Sequence, residues 1–280
     1  MNGKSLTQAD SFFREYTCDD AIVKYTRRTA GFGINYLLDH DYKAVYLDAL
    51  RLLPGRVLSD GIRILEFGCG GGMNLIRLLA ILRNAGIRVK KAIGTDFSPV
   101  LIDAAKREAS DLLARDDLER LEFYVAKNEQ LIDDLVATAA GNRSELENSF
   151  HFILGVNTIR YCHAGKKEMD NARDILNLLV PGGVAVAIDM NNRFPLFRSD
   201  LKNRFRREKE EECYVPSLDE YAAPFFNAGF EVVRKEHFCW VPHSSGRMLC
   251  GILRALSPLL NVAFRSKAMR SLVVARKRPA

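Results

Sequence analysis

The sequence predicts an α/β fold with a doubly wound, mainly parallel sheet of seven strands between two layers of helices. Five apolar runs with the length of buried strands recur along the middle of the chain, and helical patterns of ten to twenty residues separate them. Such repeated strand, helix, strand units have right-handed crossovers and therefore parallel strands. Two later runs alternate apolar and polar residues, as half-exposed strands do, and complete the sheet.

The predicted elements follow one another in a regular order. Residues 1–55 form a helical N-terminal extension with tyrosines at helical spacing, which ends at the turn Pro54-Gly55. The domain proper then covers residues 56–280. Its five buried strands are predicted at residues 62–67, 91–97, 121–126, 150–155 and 184–190. Pro181-Gly182-Gly183 is predicted as the turn that precedes the fifth of these strands.

The last third of the chain contains a helix, two strands and a long insertion. The helix is predicted at residues 217–230, with Ser217 as its cap and Gly229 as its end. The strands are FEVVRKEHFCWV and SLVVARK. The insertion between them, at about 242–268, exceeds the usual length of a loop, so we expect it to contain helices and to form a cap.

Composition and cysteine spacing are typical of a globular protein in a reducing compartment. Apolar residues make up 48% of the 280 residues and charged residues 27%. The six cysteines form no CxxC pair, so the sequence predicts neither a disulfide framework nor a metal site. The first residues lack the apolar core of a signal peptide, and Arg254 interrupts MLCGILRALSPLL. These features predict a cytoplasmic protein without a transmembrane segment.

The net charge of +6 arises mainly from two basic runs, LKNRFRREK at 201–209 and the stretch from 264 to 280. Such runs attract phosphates, acidic lipids or nucleic acid, but they also occur on solvated helix faces. The first run is followed directly by three glutamates, which favours the solvated face. Basic residues are not interleaved with aromatic ones, so nucleic acid is not the expected partner.

A glycine-rich stretch, ILEFGCGGGMN, follows the first predicted strand at residues 64–74. A glycine turn between a strand and a helix lets a ligand lie against the backbone. The dinucleotide fingerprint requires glycine at position 73, which is methionine here, and a P-loop requires a following Gly-Lys-Ser/Thr. What remains is an acid, Glu66, followed by three glycines at alternate positions, Gly68, Gly70 and Gly72.

This arrangement resembles the first motif of class I S-adenosylmethionine-dependent methyltransferases, a family with a Rossmann-like fold. The stretch IGTDFSP places Asp96 at the end of the second strand, where that family keeps an acid for the ribose hydroxyls. The turn LVPGGVAVAIDMN and the segment DEYAAPFFNAGFEVV are similar to the family's fifth strand and late helix. Four ordered matches on predicted strands cover about residues 60–280.

The resemblance implies which residues hold the S-adenosylmethionine cofactor. The glycines would approach its methionine part, Glu66 its ammonium group, and Asp96 its ribose. Phe97 would flank the adenine or belong to the core, and Asn128 would bond the adenine amino group, because the acid usual after the third strand is absent. The expected cofactor-binding residues are Glu66, Gly68, Gly70, Gly72, Asp96, Phe97, Asn128, Gly155 and Asn157. His151 replaces an aspartate usual before the fourth strand, and we interpret it as structural.

The implied activity is methyl transfer to a small molecule. The sequence lacks the Asn/Asp-Pro-Pro-Tyr/Phe element and the Pro-Cys pair of nucleic-acid methyltransferases. Aromatic residues in the extra segments indicate a partly apolar acceptor: Tyr25, Tyr36, Phe194, Phe197 and Trp240. Candidate catalytic bases are His163 and His243, with Tyr161 next. An RNA or protein methyltransferase stays an alternative because of the basic tail. A cofactor-binding protein without transfer activity is another, because no base is certain.

The N-terminal helices and the insertion at 242–268 are predicted to form a lid over the cofactor. Both lie outside the alternating pattern and carry aromatic residues at helical spacing. A lid would exclude water from the transfer. The alternative is that the N-terminal helices cover one edge of the sheet.

Overall fold

The computed structural model describes residue 16 and residues 19–28, 30–139, 142–159, 167–195 and 215–279. Seven strands form one sheet in the order β3-β2-β1-β4-β5-β7-β6. The first five are mutually parallel, and β7 runs antiparallel to both β5 and β6. The strands are β1 (Ile62–Phe67), β2 (Val89–Asp96), β3 (Leu121–Val125), β4 (Phe150–Val156), β5 (Leu179–Met190), β6 (Glu231–Phe238) and β7 (Arg270–Arg276). The predicted doubly wound fold is confirmed.

Helices cover both faces of this sheet. Those before β4 are α1 (Asp19–Tyr25), α2 (Phe32–Asp39), α3 (Asp41–Leu50), α4 (Gly55–Asp60), α5 (Met73–Asn84), α6 (Pro99–Leu112), α7 (Arg115–Leu118), α8 (Leu131–Ala139) and α9 (Arg143–Leu146). Those after β4 are α10 (Glu168–Leu178), α11 (Leu218–Ala228) and α12 (Arg247–Phe264). Short 3₁₀ turns occupy Asn128–Gln130 and Arg265–Lys267.

Local capping fixes where the predicted helices begin. The Ser98 hydroxyl accepts a hydrogen bond from the Leu101 N–H and caps α6, whose first residue is Pro99. Ser217 and Glu220 form a capping box at the start of α11, and Gly229 ends that helix in the left-handed conformation. The two ends of α11 agree with the sequence prediction because each depends on neighbouring residues alone.

The turn predicted at Pro181-Gly182-Gly183 is wrong. These residues lie inside β5, which begins at Leu179 rather than near residue 184. Leu179 pairs with Phe150 of β4, and the register shifts before Phe152 pairs with Val184. Pro181, Gly182 and Gly183 therefore form an irregularity within the strand. The residues before and after them along the chain both pair with β4, and these pairs hold the three residues in the sheet.

The N-terminal helices pack on a face of the sheet. Tyr46 of α3 contacts Phe152 of the central strand β4, with ring centroids 6.4 Å apart, and Tyr42 contacts Phe238 of β6 at 6.0 Å. Both tyrosines are buried together with Leu37 and Leu50. Helix α3 therefore covers the middle of the sheet, and the alternative that these helices cover only an edge is not supported.

The insertion between β6 and β7 contains one long helix, α12, as the sequence predicts. Arg254, which interrupts the apolar stretch in the sequence, lies within α12 and does not end the helix. By length and composition the 21-residue segment Arg247–Lys267 is a candidate membrane span, although a single such helix is weak evidence for one. The segment is almost entirely exposed on the protein surface.

Candidate functional site

The candidate site lies at the carboxyl ends of β1, β2 and β4. The sheet order reverses between β1 and β4, and open α/β sheets bind ligands at such a switch point. The glycine turn leaves β1 here and leads into α5. Its backbone is fixed by hydrogen bonds from the Cys69 N–H to the Thr95 carbonyl, at 2.7 Å, and from the Gly72 N–H to the Cys69 carbonyl, at 2.9 Å. Gly68, Gly70 and Gly72 all have left-handed φ angles, which explains why the motif uses glycine.

Asp96 connects the glycine turn to the start of α6. Its carboxylate accepts hydrogen bonds from the Gly70 N–H and the Ser98 N–H, both at 2.9 Å. Burial raises the pKa of Asp96, and the two backbone N–H groups oppose that shift. Each carboxylate oxygen holds one protein donor and keeps further acceptor capacity, so the two hydrogen bonds do not prevent the predicted contact with a ribose.

Glu66 is the most unusual group at the turn. It is fully buried near the end of β1, and neither carboxylate oxygen has a hydrogen-bond partner of acceptable geometry among the described residues. Burial raises the pKa of Glu66 to about 8, while the nearby Asn74 side chain and the Leu75 N–H lower it and Asp96 raises it further. An unpaired buried carboxyl is costly, so its presence fits a ligand that supplies a cationic partner.

Two residues form the wall opposite Gly68. A Cβ at position 68 would lie 2.4 Å from the Thr158 methyl and 3.3 Å from the Asn128 side-chain nitrogen, so only glycine fits between them. The backbone carbonyl of Asn128 accepts a hydrogen bond from the Asn171 side chain at 2.6 Å. The buried Thr158 hydroxyl has no partner among the described residues. This wall brings Asn128, predicted to contact adenine, next to the glycine turn.

The N-terminal extension covers the same turn. The Tyr25 side chain lies 3.6 Å from a Cβ built on Gly70, and the Tyr25 backbone carbonyl would lie 2.6 Å from one built on Gly71. Tyr16 stacks on Tyr25 with ring centroids 5.2 Å apart and meets Phe97 edge-on at 5.8 Å. Phe97 is therefore part of an aromatic cluster at the end of β2, beside Asp96.

Gly72 and Gly155, both predicted to bind the cofactor, have packing roles. A Cβ at Gly72 would meet the Phe123 ring at 3.0 Å and the Ala105 methyl at 3.2 Å. A Cβ at Gly155 would lie 2.3 Å from the Phe67 ring. The ring of Phe67, on β1, therefore fits only because residue 155 of β4 has no side chain. Gly155 is thus part of the buried strand, and its position gives no support to cofactor binding.

Asn157, immediately after β4, contacts a residue that the sequence did not point to. Its backbone is left-handed with φ of 58°, a conformation that asparagine tolerates better than most residues. Its side-chain oxygen accepts a hydrogen bond of 2.8 Å from the guanidinium of Arg270 at the start of β7. Arg270 is only 6% exposed. A basic residue at the edge of a predicted strand is usually solvated, so only the structure reveals this buried cation.

The two predicted bases have different outcomes. His163 lies outside the described residues, as does Tyr161. His243 is exposed in the loop before α12, where its backbone carbonyl would lie 2.6 Å from a Cβ on Gly33. Partial desolvation lowers the pKa of His243, and Arg270 and Lys24 lower it further. The structure thus joins the N-terminal extension to the insertion and leaves His243 as a candidate base near Arg270.

The remaining histidine and cysteine residues fit structural interpretations. The His151 ring nitrogen Nδ1 accepts a hydrogen bond of 3.1 Å from the Arg63 N–H, which agrees with a structural role. Cys69, Cys239 and Cys250 are buried free thiols. In the part of the chain that the structure describes, no three histidine, cysteine or acidic side chains are grouped as metal ligands.

Comparisons with known proteins agree with this geometry. The model of a methyltransferase domain family matches residues 38–235. Among curated proteins, the non-reducing polyketide synthase sor2 of Hypocrea jecorina is 29% identical over 150 residues, which are 54% of this chain and 5% of that protein. This chain therefore corresponds to a small part of that relative's length.

Two solved structures show the same fold. The CMeT domain of the citrinin polyketide synthase superposes with a TM-score of 0.58 and 18% identity, covering 92% of this chain and 56% of the other. Phosphoethanolamine N-methyltransferase 2 of Haemonchus contortus, solved with S-adenosyl-L-methionine, has a TM-score of 0.60 and 14% identity. That match covers all of this chain and 62% of the nematode protein.

Proposed function

Because the chain belongs to the methyltransferase domain family, we propose that it transfers a methyl group from S-adenosylmethionine to a small, partly apolar metabolite. The observation that carries the proposal is the buried Glu66 carboxyl. It lies beside a glycine turn at the switch point of the sheet, and neither of its oxygens accepts a hydrogen bond from a described residue. A carboxyl in this place fits an aminoacyl ligand with a free ammonium group.

The residues around the turn fit the cofactor of class I methyltransferases. Glu66 would hold its ammonium group, Asp96 its ribose hydroxyls, and Asn128 with Phe97 its adenine. The Thr158 hydroxyl offers one more buried polar atom without a partner among the described residues. When bound, S-adenosylmethionine supplies a methyl group on a positively charged sulfur, which an aligned nucleophile can displace.

The contribution of the protein is mainly positioning and exclusion of water. In-line transfer requires the acceptor atom to be held close to the methyl group, and alignment alone supplies much of the acceleration. Tyr25 and the aromatic cluster cover the glycine turn from one side. A base is needed only if the acceptor must lose a proton. His243 can take that role because its lowered pKa keeps the imidazole neutral at pH 7.

The small, partly apolar acceptor is supported by the relatives and by the position of the site. The curated relative is a polyketide synthase, and the citrinin CMeT domain is part of another. Two of the aromatic residues that suggested an apolar acceptor, Phe194 and Trp240, are buried in the core and have ordinary packing roles. The acceptor side is instead the region between Asn157 and His243, next to α3 and its tyrosines.

The proposal is tested by binding and transfer measurements on the purified chain. Calorimetry should show S-adenosylhomocysteine binding with a Kd in the low micromolar range, about −8 kcal/mol, and no binding of NADH. Incubation with deuteromethyl S-adenosylmethionine and pools of small metabolites should give labelled products by mass spectrometry. Label in RNA or protein would favour that alternative. Cofactor binding with no labelled product in any pool would favour a non-catalytic protein.

A further inference from the structure

Arg270 is a buried cation without a counter-ion. Its Nη1 donates to the Asn157 side-chain oxygen at 2.8 Å, but its Nε has no hydrogen-bond partner among the described residues. Across the described ranges no carboxylate lies within ion-pair distance of it. Removing a charge from water without pairing it costs several kcal/mol, so a guanidinium in this state fits a site where a ligand supplies the missing negative charge.

Carboxyls share the surroundings of Arg270, but none in the described ranges lies within ion-pair distance of it. Asp41 and Asp189 act on Tyr42 together with Arg270, and Glu66 acts on Tyr46. Tyr42 and Tyr46 approach from α3, Cys239 from the end of β6, and His243 from the following loop. The buried Tyr46 hydroxyl also has no partner within the described part of the chain. A guanidinium nitrogen and a phenol hydroxyl, both donors without acceptors, are complementary to an anionic oxygen.

Strand order places this pair of donors on the acceptor side of the site. Strand β7 is the third strand from β1, so the Arg270 backbone lies about 14 Å from the glycine turn. The side chain extends from there toward Asn157, which follows directly after β4, the strand next to β1. The guanidinium therefore lies on the far side of Asn157, away from the glycine turn that would hold the cofactor. The molecule that receives the methyl group would bind on this far side.

We propose that Arg270, together with the Tyr46 hydroxyl, binds an anionic oxygen of the methyl acceptor, such as a carboxylate or an enolate. The inference rests on the proposed function and narrows its substrate class to acidic metabolites. Bidentate donation by a guanidinium suits such an oxygen better than a lysine ammonium would. The left-handed backbone of Asn157 holds the guanidinium in position for it.

The experiment uses benzoate as the simplest aromatic carboxylate and benzamide as its neutral isostere. With the protein saturated by S-adenosylhomocysteine, titration followed by ligand-observed NMR should show benzoate binding at least tenfold more tightly. Arg270→Met should abolish this preference, and Arg270→Lys should weaken it, while the Kd for S-adenosylhomocysteine stays within twofold. Arg276→Met, at the other end of β7, is the matched control and should keep the preference.

The possible failures are distinguishable. A wild-type protein that does not bind S-adenosylhomocysteine refutes the proposed function. Equal affinities for benzoate and benzamide in the loaded protein refute only the anion site. A tenfold loss of S-adenosylhomocysteine affinity in Arg270→Met, with the benzoate preference intact, assigns the guanidinium to the cofactor and also overturns the proposal.

A separate observation concerns the outer face of α12. Met248, Ile252, Leu259 and Val262 share one side of this helix by their spacing, and all are exposed, Val262 by 89%. The opposite side is held to the body of the protein, because Cys250 is buried and the Trp240 indole N–H donates to the Asn261 side chain at 2.8 Å. An exposed apolar stripe as long as the helix marks an interaction surface.

The charges on α12 and its flanking residues are positive, and of these Arg265 is ion-paired with Glu236 of β6. The sequence from residue 237 to its last residue contains no aspartate or glutamate, and Arg247, Arg254 and Arg265 follow one flank of α12. Both ends of the helix are joined to the body, through the loop after β6 and through the 3₁₀ turn before β7, which favours a helix lying on a surface over one that spans it. An apolar face flanked by arginines is typical of helices at anionic membranes.

We infer that α12 docks the protein on an anionic lipid bilayer. Co-sedimentation with phosphatidylcholine vesicles containing phosphatidylserine should recover the protein, and pure phosphatidylcholine vesicles or high salt should recover much less. The double variant Leu259→Glu with Val262→Glu should lose at least tenfold in partitioning. Phe226→Glu, which replaces an equally exposed residue on α11, should not. Unchanged partitioning of the double variant, or a dimer in solution that only this variant dissociates, would overturn the assignment.

Discussion

Glu66→Gln tests whether the buried carboxyl at the glycine turn is neutral until the cofactor arrives. With a pKa of about 8, Glu66 is about nine-tenths protonated at pH 7 in the free protein. A bound ammonium group favours the ionised form. Binding of S-adenosylhomocysteine should therefore release about 0.9 proton per site at pH 7. The variant has no proton to release and should bind more than tenfold less tightly, since a charge-assisted bond is worth about 1.5–3 kcal/mol.

Proton release is measured by calorimetry in phosphate and in Tris at the same pH. The observed binding enthalpy should change with the ionisation enthalpy of the buffer in the wild type and stay constant in Glu66→Gln. Glu122→Gln is a suitable control, because Glu122 is half-buried on β3, paired with Lys91. A wild-type enthalpy that is independent of buffer, or equal proton release by the Glu66 variant, would refute the reasoning.

The same shift affects the stability of the free protein. Because the pKa of Glu66 in the folded protein lies above its ordinary value of 4.5, protonation of Glu66 stabilises the folded state. This contribution to the free energy of unfolding is complete below pH 4.5 and is lost as pH rises through 8. At pH 7 the loss is about 3 kcal/mol at 1.36 kcal/mol per pH unit. Glu66→Gln should therefore flatten the pH dependence of the free energy of unfolding, measured by urea titration without ligand, while impairing binding.

Other outcomes follow from neighbouring contacts. Asp96→Ala should weaken S-adenosylhomocysteine binding by about 2–4 kcal/mol and destabilise the free protein by about 1–3 kcal/mol, because it also frees the Gly70 N–H. Calorimetry and urea unfolding measure both, and an unchanged Kd in a folded variant would remove Asp96 from the site. Gly155→Val should cost about 3 kcal/mol by overpacking against Phe67, with partial recovery in the double variant with Phe67→Leu; an unaffected unfolding midpoint would contradict the packing role. Hydrogen exchange in the N-terminal extension and the cap insertion should slow when S-adenosylhomocysteine binds, and protection confined to the glycine turn and the end of β2 would make both segments scaffold.

Much of the fold is encoded locally and could therefore be predicted. The strand bounds of β1, β3 and β4 follow from apolar runs, and the ends of α11 from Ser217 and Gly229. The start of β5 could not be predicted from its own residues. Pro181-Gly182-Gly183 has turn chemistry, but pairing of Leu179 with Phe150 draws it into the sheet. Long-range pairing therefore overrode a local preference.

The site divides in the same way. The glycine turn and Asp96 were predicted because spacing along one segment defines them, and the resemblance to class I methyltransferases is confirmed by the family match. Gly155 was given a ligand role because the sequence does not show that the Phe67 ring fills the space beside it. Arg270 was missed because the residues that bury it, Tyr42 and Tyr46, lie more than 220 positions earlier in the chain.

The contact between Gly33 and the carbonyls of Pro242 and His243 has a consequence for synthesis of the chain. A Cβ at residue 33 would lie 2.6 Å from both oxygens, so the beginning of α2 joins closely to a loop about 210 residues later. Contacts of such sequence separation form late in folding. At about 5–20 residues per second, the N-terminal helices wait about 10–40 s on the ribosome before their partner is made. Tyr46 of α3 can meet Phe152 of β4 well before the end of that interval, so the contact between α2 and the late loop is the one that closes last.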